Sequence, residues 1–330
     1  MPPHPVKLCL HRRRLVAGVV ALGMAGRSFG QPRTGPPLTL IVPAYPGGSA
    51  EGIGRVVADS LSTIMEVSVR VELVAGNGGV TGTTAIAAAP RDGSVIGLGI
   101  STPMVSGRLL SASAQYRPTE DFAWLAILGF YPNAMVLSTR SNHTNLEEWL
   151  AAARTAAKPL VFASLGTGTA GHLAGAYLRY EQGANLVHRV VERPGEGYAM
   201  LADGRAEVFF DGLPNALIEV PRSGNRFLAV TSAKRVDSLP ETPSFGELWQ
   251  QMFVVWIGLV APRSITPEAH VRLASAVGVL LAEPRYAEIL RGAGIAFLGL
   301  SGSATRSFVE AEILRSAKLI VKLNDEGRRP

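Results

Sequence analysis

Cysteine is almost missing from this chain. The one cysteine, Cys9, lies among the first thirty residues. A protein that loses that segment would hold no disulfide, no thiol nucleophile and no thiolate metal site. Long apolar runs are missing too. The longest candidate, Leu15 to Gly26, has twelve residues, too few to span a bilayer. Charge is sparse at 18% and aromatics make up 7%. No pair of histidines has metal-ligand spacing on one helix, and there is no G-x-S-x-G elbow, so neither a metal centre nor a serine hydrolase is indicated. An excess of basic charge is missing once its location is considered. Of the net +6, five positive charges (Lys7, Arg12, Arg13, Arg14, Arg27) fall within residues 1–30, which hold no acid. The rest has 27 basic against 26 acidic residues and no basic stripe, which argues against nucleic acid as a partner.

What is present begins with a targeting pattern. His11-Arg12-Arg13-Arg14 precedes the short apolar run, and Ser28 and Gly30 stand at −3 and −1 of a cut before Gln31. Residues 1–30 read as a signal peptide of the Sec or twin-arginine type, which places the mature chain in the periplasm. Beyond it, short β-branched runs alternate with helical patterns. Leu38 to Val42 reads as a strand, and Ile53, Val56, Val57, Leu61 and Ile64 recur at helical spacing. Further strands are expected at 67–74, 95–100, 122–128, 134–138, 160–164, 186–191, 206–210 and 227–231. Thr144-Asn145-Leu146-Glu147 reads as a capping box, and Thr266-Pro267 as a helix start. The alternation predicts a mostly parallel α/β architecture, with ligands at the carboxyl ends of strands.

Four loops at such ends are rich in Gly, Ser and Thr: 45–49, 76–79, 101–103 and 164–169. Glycine lets backbone approach a ligand, and helix N-termini present free N–H groups with partial positive charge. These loops hold no lysine or arginine, which suits a carboxylate better than a phosphate. The candidate ligand-binding residues are Tyr45, Pro46, Gly47, Gly48, Ser49, Ser101, Thr102, Ser164, Thr167, Gly168, Thr169, His172 and Asp211. No catalytic set, cofactor or metal is expected. One alternative is an exported NAD(P)-dependent oxidoreductase: Gly166-Thr167-Gly168-Thr169-Ala170-Gly171 matches G-x-G-x-x-G, and Glu192 follows at a later strand end. Another is a ligand-sensing binding protein that feeds a membrane receptor.

Several stretches, in order along the chain, resemble the substrate-binding proteins of tripartite tricarboxylate transporters, the Bug-type family. They are Ile41-Val42-Pro43 with Pro46-Gly47-Gly48; Gly76 with Gly78-Gly79 and Gly82; Ala89-Pro90 with Asp92-Gly93; Phe162-Ala163-Ser164 with Gly166, Gly168-Thr169 and His172-Leu173-Ala174-Gly175; Phe210-Asp211 with Leu213-Pro214; and Trp256 with Gly258-Leu259 and Ala261-Pro262. The resemblance implies a type II periplasmic-binding-protein fold: two α/β domains with a ligand cleft and a hinge between them. Domain 1 would be 36–136 plus 256–330, and domain 2 would be 137–255. It implies a monomer that captures a small carboxylate and delivers it to a two-component membrane permease. The chain departs from the family pattern at Glu51, at Leu73, at the inserted Arg91 and over 189–193, where Arg189-Val190-Val191-Glu192-Arg193 stands in place of V-P-Y-K-G.

Overall fold

The computed structural model describes residues 35–107 and 113–327. The targeting segment 1–30 lies outside the described residues. Among these, no helix is long and apolar enough to cross a membrane, and no three His, Cys, Asp or Glu side chains come together as a metal site.

The chain alternates as its patterning predicts. Strand β1 (Leu38–Val42) leads into α1 (Ser49–Met65), whose buried Ile53, Val57 and Leu61 recur at helical spacing and pack on the sheet. Then come β2 (Val69–Leu73), a short 3-10 turn at Asn77–Gly79, α2 (Val80–Ala87), β3 (Val95–Ile100) and a π-helical turn at Thr102–Gly107. Strand β4 (Phe122–Leu137) follows, then α3 (Leu146–Thr155), β5 (Leu160–Ser164), α4 (Ala170–Tyr180), β6 (Leu186–Val190), α5 (Pro194–Asp203), β7 (Val208–Gly212), α6 (Leu213–Ser223), β8 (Arg226–Val230) and α7 (Phe245–Trp249). The chain closes with β9 (Val254–Pro262), α8 (Pro267–Ala282), α9 (Pro284–Gly292), β10 (Ala296–Leu300) and α10 (Ser303–Gly327).

The strands form one continuous sheet in the order β2-β1-β3-β9-β4-β7-β5-β6, with β8 and β10 also paired to β4. Its two wings are parallel, β2-β1-β3 on one side and β7-β5-β6 on the other. Its middle is antiparallel, where β9 runs against β3 and β4, and β4 against β7, β8 and β10. The expectation of a mostly parallel sheet therefore holds for the wings and fails at the centre. There the two βα halves are joined by long return strands rather than by crossover helices.

Two strands expected at 122–128 and 134–138 are one strand of sixteen residues, β4. Pro132 has no N–H to donate, but it stands where β4 changes partners, so no ladder is interrupted. Up to Pro132 the strand pairs with β9, and from Asn133 onward with β7 and β8. The change is clamped by Thr231, which is fully buried. Asn133 N–H donates to Thr231 Oγ1 at 2.8 Å, and Thr231 N–H returns a bond to the Asn133 carbonyl at 2.9 Å. Thr231 Oγ1 in turn donates to the Phe253 carbonyl at 2.6 Å, and Phe253 N–H to the Thr231 carbonyl at 2.8 Å. One threonine thus ties together both chain segments that pass from one half of the sheet to the other.

Helix starts are set by local chemistry. The cap of α1 is Gly48. The box opening α3 sits one residue later than its sequence suggests. Asn145 Oδ1 accepts from Glu148 N–H at 2.9 Å, and the Glu148 carboxylate accepts from Thr144 N–H at 2.9 Å. Close approach of α2 to β1 is enforced at Gly82, where a Cβ would lie 2.4 Å from the Val74 carbonyl oxygen and 2.8 Å from Pro43 Cα. Both obstacles are backbone. Gly82→Ala is therefore expected to destabilise the protein by about 1–3 kcal/mol, the usual cost of overpacking. Urea denaturation would show this as a lower midpoint, and an unchanged midpoint would mean that α2 is free to move.

Candidate functional site

A cavity of about 420 Å³ opens where the carboxyl ends of the wing strands face each other. After β1 it is lined by Pro43, Ala44, Tyr45, Gly48 and Ser49, after β3 by Thr102 and Pro103, and after β5 by Gly166, Thr167 and Thr169. Val191, Glu192 and Pro194 follow β6, and Gly212 ends β7. The floor is β4 itself, through Tyr131 and Asn133. Five helices, α1, α2, α4, α5 and α6, begin at this wall; the first-turn N–H groups of His172 in α4 and Asn215 in α6 are already bonded, to Thr169 Oγ1 and Ser49 Oγ. A helix N-terminus favours an anion by about 0.3–1 kcal/mol, more where it is partly buried.

Each loop is held by its own bonds. The Glu51 carboxylate accepts from Gly47 N–H at 2.7 Å and from Arg55 Nε at 3.0 Å. The Gly47 bond, then the Arg55 bond, holds that carboxyl below its ordinary range. The loop before α2 runs through four consecutive residues with positive φ, Gly76 to Gly79. At Gly79 (φ 92°) a Cβ would also stand 2.8 Å from the Pro43 carbonyl oxygen, so glycine is required twice over. The α4 loop is shaped by Thr169, whose hydroxyl donates to the Gly166 carbonyl at 2.8 Å and caps His172 N–H at 3.2 Å.

Beneath that loop two imidazoles pack against each other, tilted by 34°. His172 and His188 have ring centroids 4.3 Å apart, and Phe162 stacks on His188 at 4.8 Å. Gly168 N–H donates to His172 Nδ1 at 3.0 Å, which requires an unprotonated Nδ1. Ser164 Oγ and His188 Nε2 share a 2.8 Å hydrogen bond. Burial holds His172 below the usual imidazole range, and burial together with the neighbouring His172 pushes His188 down to about 4. Both rings are neutral at pH 7.

Of the sequence candidates, Tyr45, Gly48, Ser49, Thr102, Thr167 and Thr169 stand on the cavity wall. Pro46 and Gly47 do not, and the Gly47 amide is used by Glu51. Ser101 and Gly168 face a second, smaller space beside Trp256, and the Gly168 carbonyl accepts from Ser106 Oγ at 2.7 Å. Ser164 and His172 support the loop from behind. Asp211 is fully buried off the wall. Its Oδ2 accepts from Asn215 Nδ2 at 2.7 Å and Tyr198 OH at 3.0 Å, its Oδ1 has no partner, and burial raises its pKa to about 6 against those bonds.

Sequence reasoning passed over Asn133. It is 6% exposed, it lines the floor, and its side-chain Nδ2 has no hydrogen-bond partner. Native proteins rarely leave such a donor unmatched. The available signal was an amide in the middle of an otherwise apolar strand. Glu192 entered the sequence reading in the dinucleotide alternative and as a departure from the family pattern. The structure puts it at the rim, exposed and near Tyr45. The halves meet here and at Ser49, whose Oγ accepts from Asn215 N–H at 3.2 Å.

The tripartite tricarboxylate transporter family receptor, TctC, matches residues 53–325. The chain is 30% identical over 318 residues to the UPF0065 protein in the tcbD–tcbE intergenic region of a Pseudomonas species, covering 94% of each chain. It is 29% identical over 290 residues to Protein BugT of Bordetella pertussis, covering 86% of this chain and 88% of that one. Among solved structures it is similar to R. palustris Rpa4515 with adipate, with TM-score 0.82 and 25% identity over 87% of this chain and 97% of that one. The fold is the two-domain α/β type that the sequence resemblance implies, and the family is one of receptors rather than enzymes, which leaves the oxidoreductase alternative without support. The chain belongs to the tripartite tricarboxylate transporter receptor family, alongside the Bug periplasmic binding proteins.

Proposed function

We propose that this protein is exported to the periplasm and captures a small carboxylate in the cavity between its halves for delivery to a two-component membrane permease. One observation carries the reading: Asn133, whose buried side-chain N–H has no partner, lines a cavity at whose wall five helices begin. Among the described lining residues there is no lysine or arginine, so the anion would be held by backbone amides and hydroxyls, which fits a carboxylate better than a phosphate. The adipate bound by the R. palustris relative is a ligand of this class.

The domains that close on the ligand would be 36–136 with 256–330, and 137–255. The change of strand partners at Asn133 supports a boundary there. Closure by hinge motion around a ligand is a common repertoire for such two-lobed proteins.

A thermal-shift series of mono- and dicarboxylates and amino acids should identify at least one stabilising compound, because binding to the folded state raises the melting point by mass action. Loss of one hydrogen bond to a charged ligand group costs about 1.5–3 kcal/mol, so Asn133→Ala should weaken that compound by about tenfold or more. The melting point of the free protein should barely change, since the deleted amide nitrogen has no internal partner. No stabilisation by any carboxylate at millimolar concentration would remove the reading.

Acid should loosen the α4 side of the cavity. The folded chain holds His188 near 4, below its ordinary value near 6.5, so between those values the unfolded chain binds protons that the folded chain refuses. The stability from this group is complete above pH 6.5 and falls as pH drops toward 4. Asp211, raised to about 6, acts with the opposite sign and favours the fold at low pH. The melting temperature of His188→Gln should therefore decline less steeply between pH 6.5 and 4 than that of the parent. Superimposable pH profiles would show that the imidazole is not responsible.

A further inference from the structure

Taking the cavity as the carboxylate site argued above, we propose that Glu192 selects which carboxylate enters: one whose far end carries a protonated amine, in preference to a dicarboxylate. The cavity offers donors within and a negative charge at its opening. The Asn133 residue on the floor is 6% exposed, and the helix starts at Ser49, Thr169 and Gly212 stand on the walls. At the rim stands Glu192, the one acidic or basic side chain among the described lining residues. No basic group among the described residues forms an ion pair with it.

The neighbours of Glu192 deepen this polarity. Its backbone N–H donates to the Glu196 carboxylate at 3.1 Å, which brings a second acid to the same corner. Arg193 is adjacent but lies off the wall. The charge reaches across the opening. Besides burial, Glu192 and Glu196 hold the Tyr45 phenol above its ordinary value, and Arg193 opposes them. The Glu192 carboxylate has about four acceptor positions, enough to serve a ligand ammonium as well as the nearby Tyr45 hydroxyl. A dicarboxylate anchored at the floor would instead set its second charge against Glu192, and like-charge juxtaposition across an interface is a strong means of rejection.

Glu192 also stands near Tyr45 of the other half, and two variants separate selection from a role in closure alone. Glutamine keeps an oxygen acceptor for the Tyr45 hydroxyl and removes the charge. Tyr45→Phe removes the phenol hydroxyl and keeps the charge. Isothermal titration of the mature protein would use length-matched pairs: 4-aminobutanoate with succinate, 5-aminopentanoate with glutarate, and 6-aminohexanoate with adipate. In the best-fitting pair the amino member should bind about tenfold tighter than the dicarboxylate, a ratio that requires only a modest, partly screened ion pair. Glu192→Gln should abolish or invert that ratio, and Tyr45→Phe should preserve it.

A parent protein that prefers the dicarboxylates overturns the proposal. So does a Glu192→Gln variant that weakens both members equally, which assigns the residue to closure. Binding of dicarboxylates alone leaves the carboxylate site standing without this selectivity. Binding of neither class removes both.

Discussion

The four hydrogen bonds around Thr231 are the constraint on which the rest of the molecule depends. Two chain segments pass between the halves, one in β4 and one entering β9, and one buried hydroxyl with its own amide and carbonyl holds them in register. That register puts Asn133 at the seam. Its backbone is used up by the clamp, and its side chain is left to face the cavity. The floor of the site and the joint between the halves are therefore the same residue. A ligand held at this floor would touch the joint directly.

Around this seam the walls repeat one device. A strand ends, a short Gly- or Ser-rich loop turns, and a helix begins with its free N–H groups toward the opening. The loops differ in how they are stiffened: a Glu51 carboxylate for the first, four positive-φ residues for the second, and a threonine cap above two neutral imidazoles for the third. Side chains here mostly shape backbone. The exceptions are Asn133 and Glu192, which bring chemistry of their own.

Much of this was legible in the sequence because Gly, Pro and β-branched residues punctuate it strongly. The strand–loop–helix units and four of the wall loops follow from local chemistry alone. What was not legible is long-range. Nothing local to Pro132 says that β4 continues past it, because the missing donor is harmless only where the strand exchanges partners. The antiparallel centre likewise depends on β9, far along the chain, inserting between β3 and β4. Asp211 and His172 looked like ligand contacts because polar groups at strand ends and helix starts often are. The structure places both behind the wall, where they have internal partners. Glu192 carries no helical or strand periodicity that would mark it, and its place at the rim is fixed by the turn into α5.

The helix starts around this cavity are written in backbone, and for the proposed carboxylate site that has an evolutionary consequence. Amides at helix starts persist under almost any side-chain replacement, so no single point mutation readily erases them. A gene duplicate would keep its grip on a carboxylate from the outset and be free to drift at the rim, where one codon change reverses the sign of the charge met by the rest of the ligand. Diversification of such receptors can then proceed through functional intermediates, each still a binder, with novelty concentrated at a position whose replacement costs the fold little.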